Sequence, residues 1–241
     1  MGKRGCMTKW GFYEAMRPTE IEAILENNPI VFLPWGALEY HGQHNPIGLD
    51  SIKAHHLCID LAKQVGGLVM PAVNLAANLI KSYPGHGFKK HSIEFSEQLI
   101  KTICEEYLGQ LAEQDVKIIV LLSGHAGEPH LQILKDVAAE FNKKNPDKFC
   151  WTFAEFEIVP DSLLVANHSA LGETSLQLHY AENTVDLSVL PKDRPITLQL
   201  DAVSGEDPRS ATASKGGQIA KVFVENATIE IQRLIKKYKS E

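Results

Sequence analysis

The segment Ile118-Ile119-Val120-Leu121-Leu122 constrains the fold more than any other part of the chain. An unbroken apolar run of this length, rich in β-branched residues, suits a strand buried on both faces, and such strands belong to parallel sheets with helices on either side. The run passes directly into Ser123-Gly124-His125-Ala126-Gly127, and a helical pattern follows from about His130 to Lys143. The same alternation recurs along the sequence. Thr19 is placed to cap a helix reaching about Asn27, with Glu22 at the capping-box position. Ile30-Val31-Phe32-Leu33 reads as a buried strand ended by Pro34 and Gly36. Asp50-Ser51 caps a helix with Ile52, Leu57, Ile59 and Leu61 on its apolar side, stopped by Gly66-Gly67. Residues 68–73 read as a strand, 94–114 as a long helix, 149–156 as a strand and 174–181 as a short helix. A terminal helix over 215–238 gathers Ile219, Val222, Phe223, Ala227, Leu234 and Ile235 on one side. The expectation is an α/β fold of three layers: a mostly parallel sheet flanked by helices on both faces.

Composition narrows the function. With 44% hydrophobic residues among 241, the chain can fill a sizeable core, and no linker or repeat divides it, so one domain over 1–241 is expected. Lys and Arg number 24 against 30 Asp and Glu, a net charge of −6, which invites neither nucleic acid nor an anionic membrane surface. No apolar run approaches the roughly 20 residues of a membrane span. Cys6, Cys58, Cys104 and Cys150 lie far apart and form no CxxC pair; they read as reduced thiols of a cytoplasmic protein.

In open parallel sheets ligands collect at the carboxyl ends of strands. Two histidine-bearing loops fall there, one after Leu33 and one after Leu122. The first carries Glu39-Tyr40-His41-Gly42-Gln43-His44-Asn45-Pro46-Ile47-Gly48-Leu49-Asp50. In an extended segment Glu39 and His41 face one side, and Asp50 at a helix start tolerates partial burial beside the helix amides. Carboxylate and imidazole donors together suit a divalent transition metal; a polar loop with a capping Asp is the plainer alternative. The second loop presents His125 between glycines. A phosphate cradle is its rival, but neither GxGxxG nor GxxxxGK[ST] occurs. A third stretch, His168-Ser169-Ala170-Leu171-Gly172-Glu173-Thr174-Ser175, pairs an imidazole with a carboxylate suited to proton transfer, or simply caps a helix through Thr174 and Ser175. His55 and His56 read as surface or supporting residues. Trp35 and Trp151 suit a pocket wall or the core equally, and the basic tail near Lys236 is a solvated helix end.

Taken in order, these motifs resemble the creatininase (creatinine amidohydrolase) family. Residues 33–50 resemble its LPxGSxEQHGxHLPLxTD stretch, and Ser82-Tyr83-Pro84-Gly85-His86-Gly87 its FPGT turn. Gly124-His125-Ala126-Gly127 is similar to GHGGN or GHYEN, and residues 168–175 to HAGxxETS. Gly205-Glu206-Asp207-Pro208 with Ala211 through Gly216 resembles the stretch before the last helix. The resemblance runs from about residue 30 to 220. It implies a metal-dependent amidohydrolase with an α/β sandwich fold, often a homo-oligomer (a hexamer in the family), acting on a small-molecule amide. It further implies that Glu39 and His125 hold one metal, His41 a second, and Asp50 bridges both. His168 would be the proton donor to the departing nitrogen, and Glu173 a metal ligand or the carboxylate handling the water's proton. His44 would orient a ligand from behind. The cofactor expected is a pair of divalent ions, zinc, manganese or iron. Three departures bear on substrate. Creatininase itself has a metal-ligating Glu two residues after the rim histidine, where this chain has Gly127 followed by Glu128. The turn has His86 in place of Thr and lacks the preceding Glu-His. Tyr40 and Asn45 stand where Gln and Leu are common. These point away from creatinine and leave formamide deformylation, or a non-catalytic binding role, as alternatives.

Overall fold

The computed structural model describes residues 9–83 and 87–238. Its chain order is β1 (Trp10–Phe12), α1 (Pro18–Asn27), β2 (Ile30–Trp35), α2 (Leu49–Val65), β3 (Gly67–Val69), α3 (Glu97–Ala112), β4 (Ile118–Ser123), α4 (His130–Lys144), β5 (Phe149–Ala154), α5 (Leu171–Ala181), α6 (Leu198–Asp201) and α7 (Ala213–Tyr238). The five strands form one sheet in the order β1-β3-β2-β4-β5, with every neighbouring pair parallel.

Two apolar layers sandwich this sheet, and the period-2 alternation of the strands assigns residues to each. Ile30, Phe32, Ile118, Val120 and Leu122 face one layer with Ala54, Leu57 and Leu61 of α2, Leu176 of α5 and Ile219, Phe223 and Ile231 of α7. Val31, Leu33, Ile119 and Leu121 face the other, with Leu25 of α1, Ile100, Cys104 and Leu108 of α3 and Leu134, Val137 and Phe141 of α4. Both β2 and β4 are buried throughout, as their continuous apolar runs require. The three-layer expectation holds.

Several boundaries differ from the sequence reading. α1 begins at Pro18, not Thr19; Arg17 is the cap, and its amide donates to Glu20 Oε2 at 2.9 Å, so Glu20 rather than Glu22 closes the box. β2 continues through Pro34 to Trp35. The Pro34 carbonyl accepts from Val73, and its missing N–H faces the same side, where β3 has already stopped pairing at Phe32. The ring therefore costs the sheet no hydrogen bond. β3 spans three residues instead of six. α5 starts at Leu171, which puts Glu173 in its first turn. Asp50 is the second residue of α2, with Gly48 as its cap, because the Asp50 carboxylate is engaged elsewhere.

Candidate metal centre

Three neighbouring strands deliver the site. β2 leads into the loop bearing Glu39 and His41, β4 into His125 and β5 into Glu155, while α2 supplies Asp50 and α5 supplies Glu173. Close approach depends on Gly124: a Cβ there would collide with the Asp50 backbone carbonyl, so only glycine lets the β4 loop meet the start of α2. Glu39, His41, Asp50, His125 and Glu173 are all buried, and with the less buried His168 they line one cavity of about 260 Å³. That is below the roughly 300–1,000 Å³ typical of drug-sized ligand sites, which favours a small molecule.

The donor atoms fall into two clusters sharing Asp50: Glu39, Asp50 and His125, and His41, Asp50 and Glu173. A further grouping brings His168 beside Glu39 and His41. In the first cluster His125 Nδ1 lies 3.0 Å from Glu39 Oε2 and 3.6 Å from Asp50 Oδ2. In the second, His41 Nε2 lies 3.3 Å from Asp50 Oδ1.

The outer nitrogens decide what the inner ones present. His125 Nε2 lies 3.2 Å from the Ala77 carbonyl and His41 Nδ1 3.1 Å from the Glu39 carbonyl, so each must donate its N–H outward. Were the rings neutral, the opposite nitrogens would turn lone pairs toward carboxylate oxygens. Glu39 Oε2 and Asp50 Oδ2 are buried and find no hydrogen-bond donor. Lone pair against carboxylate is repulsive unless a proton or a cation lies between them, and this outward-locked tautomer is the one metal-binding histidines use. The donor set fits a divalent transition metal on this ground.

The same field appears in the proton affinities. Burial opposes charge on His41, but Asp50 beside it raises the ring to about 9. His125 is likewise opposed by burial and driven well above its ordinary value by Glu39 and Asp50. Burial would lift Glu39, yet His125 holds it down at about 2. Asp50, against its burial, is held well below the usual range by His41 and His125. Glu39 Oε1 accepts from the Ile80 amide, leaving Oε2 turned to the centre.

His168 stacks on His41 with ring centroids 4.3 Å apart, and its Nε2 donates to the Tyr40 carbonyl at 2.9 Å. Burial and the neighbouring His41 charge keep its pKa below the ordinary value. His44 touches none of the clustered side chains. Its Nε2 lies 3.2 Å from both the Ser169 carbonyl and Thr174 Oγ1, and burial lowers it to about 4. It therefore anchors the stretch carrying His168 and Glu173, where the sequence pointed to a ligand-orienting role. Asn45 makes the same link through Ser169 Oγ and Thr174 Oγ1 at 3.0 and 2.9 Å. Trp35 is core, its Nε1 donating to the Leu75 carbonyl at 2.6 Å, and Trp151 stacks on Phe153; neither lines the cavity. His55 and His56 stay outside it, against Phe12 and Tyr180. Pro84, Gly85 and His86 of the proposed turn lie outside the described residues, as does Cys6.

Two charged cavity residues escaped the sequence reading: Lys53 and Glu155, both buried. Lys53 Nζ lies 2.7 Å from Glu155 Oε1 and also donates to Glu173 Oε1. A signal for Lys53 existed. It occupies the stripe of α2 that also holds Ala54, Leu57 and Leu61, where a lysine needs a buried partner.

Fold and site define a class: an α/β protein whose buried carboxylates and imidazoles converge on a rim cavity. Comparison with known proteins is specific. The Creatininase family profile, described as creatinine amidohydrolase, matches residues 14–231. The creatinine amidohydrolase of Pseudomonas putida is 25% identical over 249 residues, covering 91% of this chain and 95% of that protein. A creatininase solved in its Mn form superposes with a TM-score of 0.79 at 20% identity, over 92% of this chain and 97% of the other. A variant creatininase of Zn–Zn type gives 0.74 at 19% identity, over 92% and 97%. This chain belongs to the creatininase family, a family of amidohydrolases.

Proposed function

We propose that the protein is a metal-dependent amidohydrolase cleaving a C–N amide bond in a small or cyclic substrate, with residues 1–241 forming one creatininase-like domain. The observation carrying this reading is the pair of orphaned buried oxygens, Glu39 Oε2 and Asp50 Oδ2, gathered around His125 Nδ1. Glu39 and His125 would hold one ion and His41 and Glu173 a second, with Asp50 contributing to both clusters. Bound divalent ions supply Lewis acidity, lowering the pKa of a water toward neutrality and polarising a carbonyl. The Mn and Zn–Zn forms of the relatives support manganese or zinc.

His168 handles the proton. Its Nε2–H is committed to the Tyr40 carbonyl, so in the neutral ring Nδ1 is the unprotonated nitrogen. The lowered pKa favours that neutral form at pH 7. His168 thus accepts a proton at Nδ1 first and then passes it to the departing nitrogen, acting as base before acid. Glu173 is favoured as a ligand over a proton carrier. Despite its burial, Lys53 and His41 keep it ionised, and the Ser169 amide donates to its Oε2 at 2.6 Å.

Gly127 bears on the substrate. A Cβ at this position would strike the Asn78 carbonyl and the His125 ring, so the loop has no room for the extra ligand of creatininase itself. This favours formamides as a second substrate class beside cyclic amides. By family resemblance the protein is a homo-oligomer, expected as a hexamer. No helix among the described residues is long and apolar enough to cross a membrane.

A screen of small amides, lactams and formamides tests the reading, run on metal-loaded and chelator-stripped protein. Hydrolysis of at least one class is expected, lost on stripping and restored by Zn²⁺ or Mn²⁺. Hydrolysis unaffected by stripping would overturn the metal-dependent mechanism.

A further inference from the structure

Lys53 sits at 1% exposure beside the cavity, where an ammonium is costly unless carboxylates surround it. They do. Its Nζ lies 2.7 Å from Glu155 Oε1 and 3.7 Å from Asp50 Oδ1, and it donates to Glu173 Oε1. Asp50 and Glu173 are two members of the His41 cluster. With Glu173 Oε2 bonded to the Ser169 amide, both oxygens of that carboxylate are already engaged. A metal chelated by His41, Asp50 and Glu173 would share its ligand with a fixed positive charge.

The other cluster is in the opposite condition. Glu39 Oε2 and Asp50 Oδ2 are buried without a donor, and no lysine or arginine among the described residues pairs with Glu39. One cluster has no lysine or arginine of its own; the other contains a lysine tethered to α2. Lys53 lies one helical turn beyond Asp50, so the fold of α2 fixes this charge beside the shared ligand.

We propose that the Lys53 ammonium is a built-in cation of the His41–Asp50–Glu173 cluster, making the two metal positions unequal. Glu39, Asp50 and His125 hold the tight ion, and the second position binds at least about 100-fold more weakly because like charges repel at close range in a buried site. This rests on the metal-dependent reading above. Glu155, whose Oε1 lies 2.7 Å from Nζ, belongs to neither donor cluster and keeps the ammonium paired when the second position fills.

Titration of the chelator-stripped full chain with Zn²⁺ alone, by equilibrium dialysis and elemental analysis, tests the proposal without any turnover assay. Wild-type protein should take up one equivalent first and a second only at about 100-fold higher free Zn²⁺. Lys53→Met should bring the second equivalent to within about tenfold of the first. His41→Ala should keep the tight equivalent and His125→Ala should lose it, two arms that stand even where the Lys53 variant fails to fold. Two matched equivalents in the wild type would overturn the proposal. So would a folded Lys53→Met with an unchanged second equivalent, or a tight ion retained in His125→Ala. Failure of the wild type to bind any Zn²⁺ would instead overturn the metal-dependent reading, and this inference with it.

Discussion

Two histidines illustrate how a single hydrogen bond sets a residue's task. His168 gives its Nε2–H to the Tyr40 carbonyl, leaving Nδ1 for the proton exchange proposed above, whereas His130 accepts at Nδ1 from the Ala77 amide at 3.4 Å and buries an unpaired Nε2. Replacing His168 by Ala should leave metal content unchanged and lower turnover about 10²–10⁴-fold, the scale of general acid–base help. Loss of metal in that variant would make His168 a ligand. His130 makes a pH prediction. Burial, aided by the His125 charge, pushes it down to about 3, below an unfolded value near 6.5. The unfolded chain therefore binds more protons across that window. The contribution is fully present above about pH 6.5 and is lost as pH falls toward 3, by roughly 4–5 kcal/mol at the low end. Urea titrations from pH 7 to 4.5 should give a shallower loss of stability for His130→Asn than for the wild type; parallel curves would contradict the burial argument.

At the scale of elements, the centre exists because the start of α2 and the end of β4 meet with no side chain between them. Gly124→Ala should cost about 1–3 kcal/mol by overpacking and weaken metal binding about 10–100-fold by shifting the Asp50 support. Denaturant unfolding and metal titration on the same sample check both effects; a variant with native stability and affinity would refute the contact. This arrangement was partly legible in the sequence. Glu39, His41 and His125 follow strands whose apolar runs mark where they end, and Asp50 heads a helix, so local pattern sufficed to bring them to one rim. Lys53 and Glu155 were not found: the place of Lys53 on the apolar stripe of α2 marks it only as needing a buried partner without naming one, and a glutamate after a strand reads locally as solvated. Only the pairing between α2 and the end of β5 explains their burial. The Arg17 cap and the continuation of β2 through Pro34 were missed for a related reason. Side-chain reach and the early end of β3 overrode local preference.

For the whole molecule, the sheet and its two apolar layers are complete without the centre, which occupies only the strand-end rim. Chelation should therefore lower the melting temperature without unfolding the protein. An ion at 100 times its Kd adds about 2.7 kcal/mol, which for a chain of this size corresponds to a shift of about 5–10 °C, with far-UV circular dichroism unchanged. Collapse of the spectrum on chelation would mean that the metal holds the fold itself. The central claim is that Asp50 links two clusters that clasp divalent ions for amide cleavage. Its most direct test is the metal content of Asp50→Asn beside the wild type, both loaded with Zn²⁺ and dialysed identically. The account predicts bound metal in the wild type and loss of metal and hydrolysis together in the variant; Asp50→Asn with full metal and full activity would contradict it.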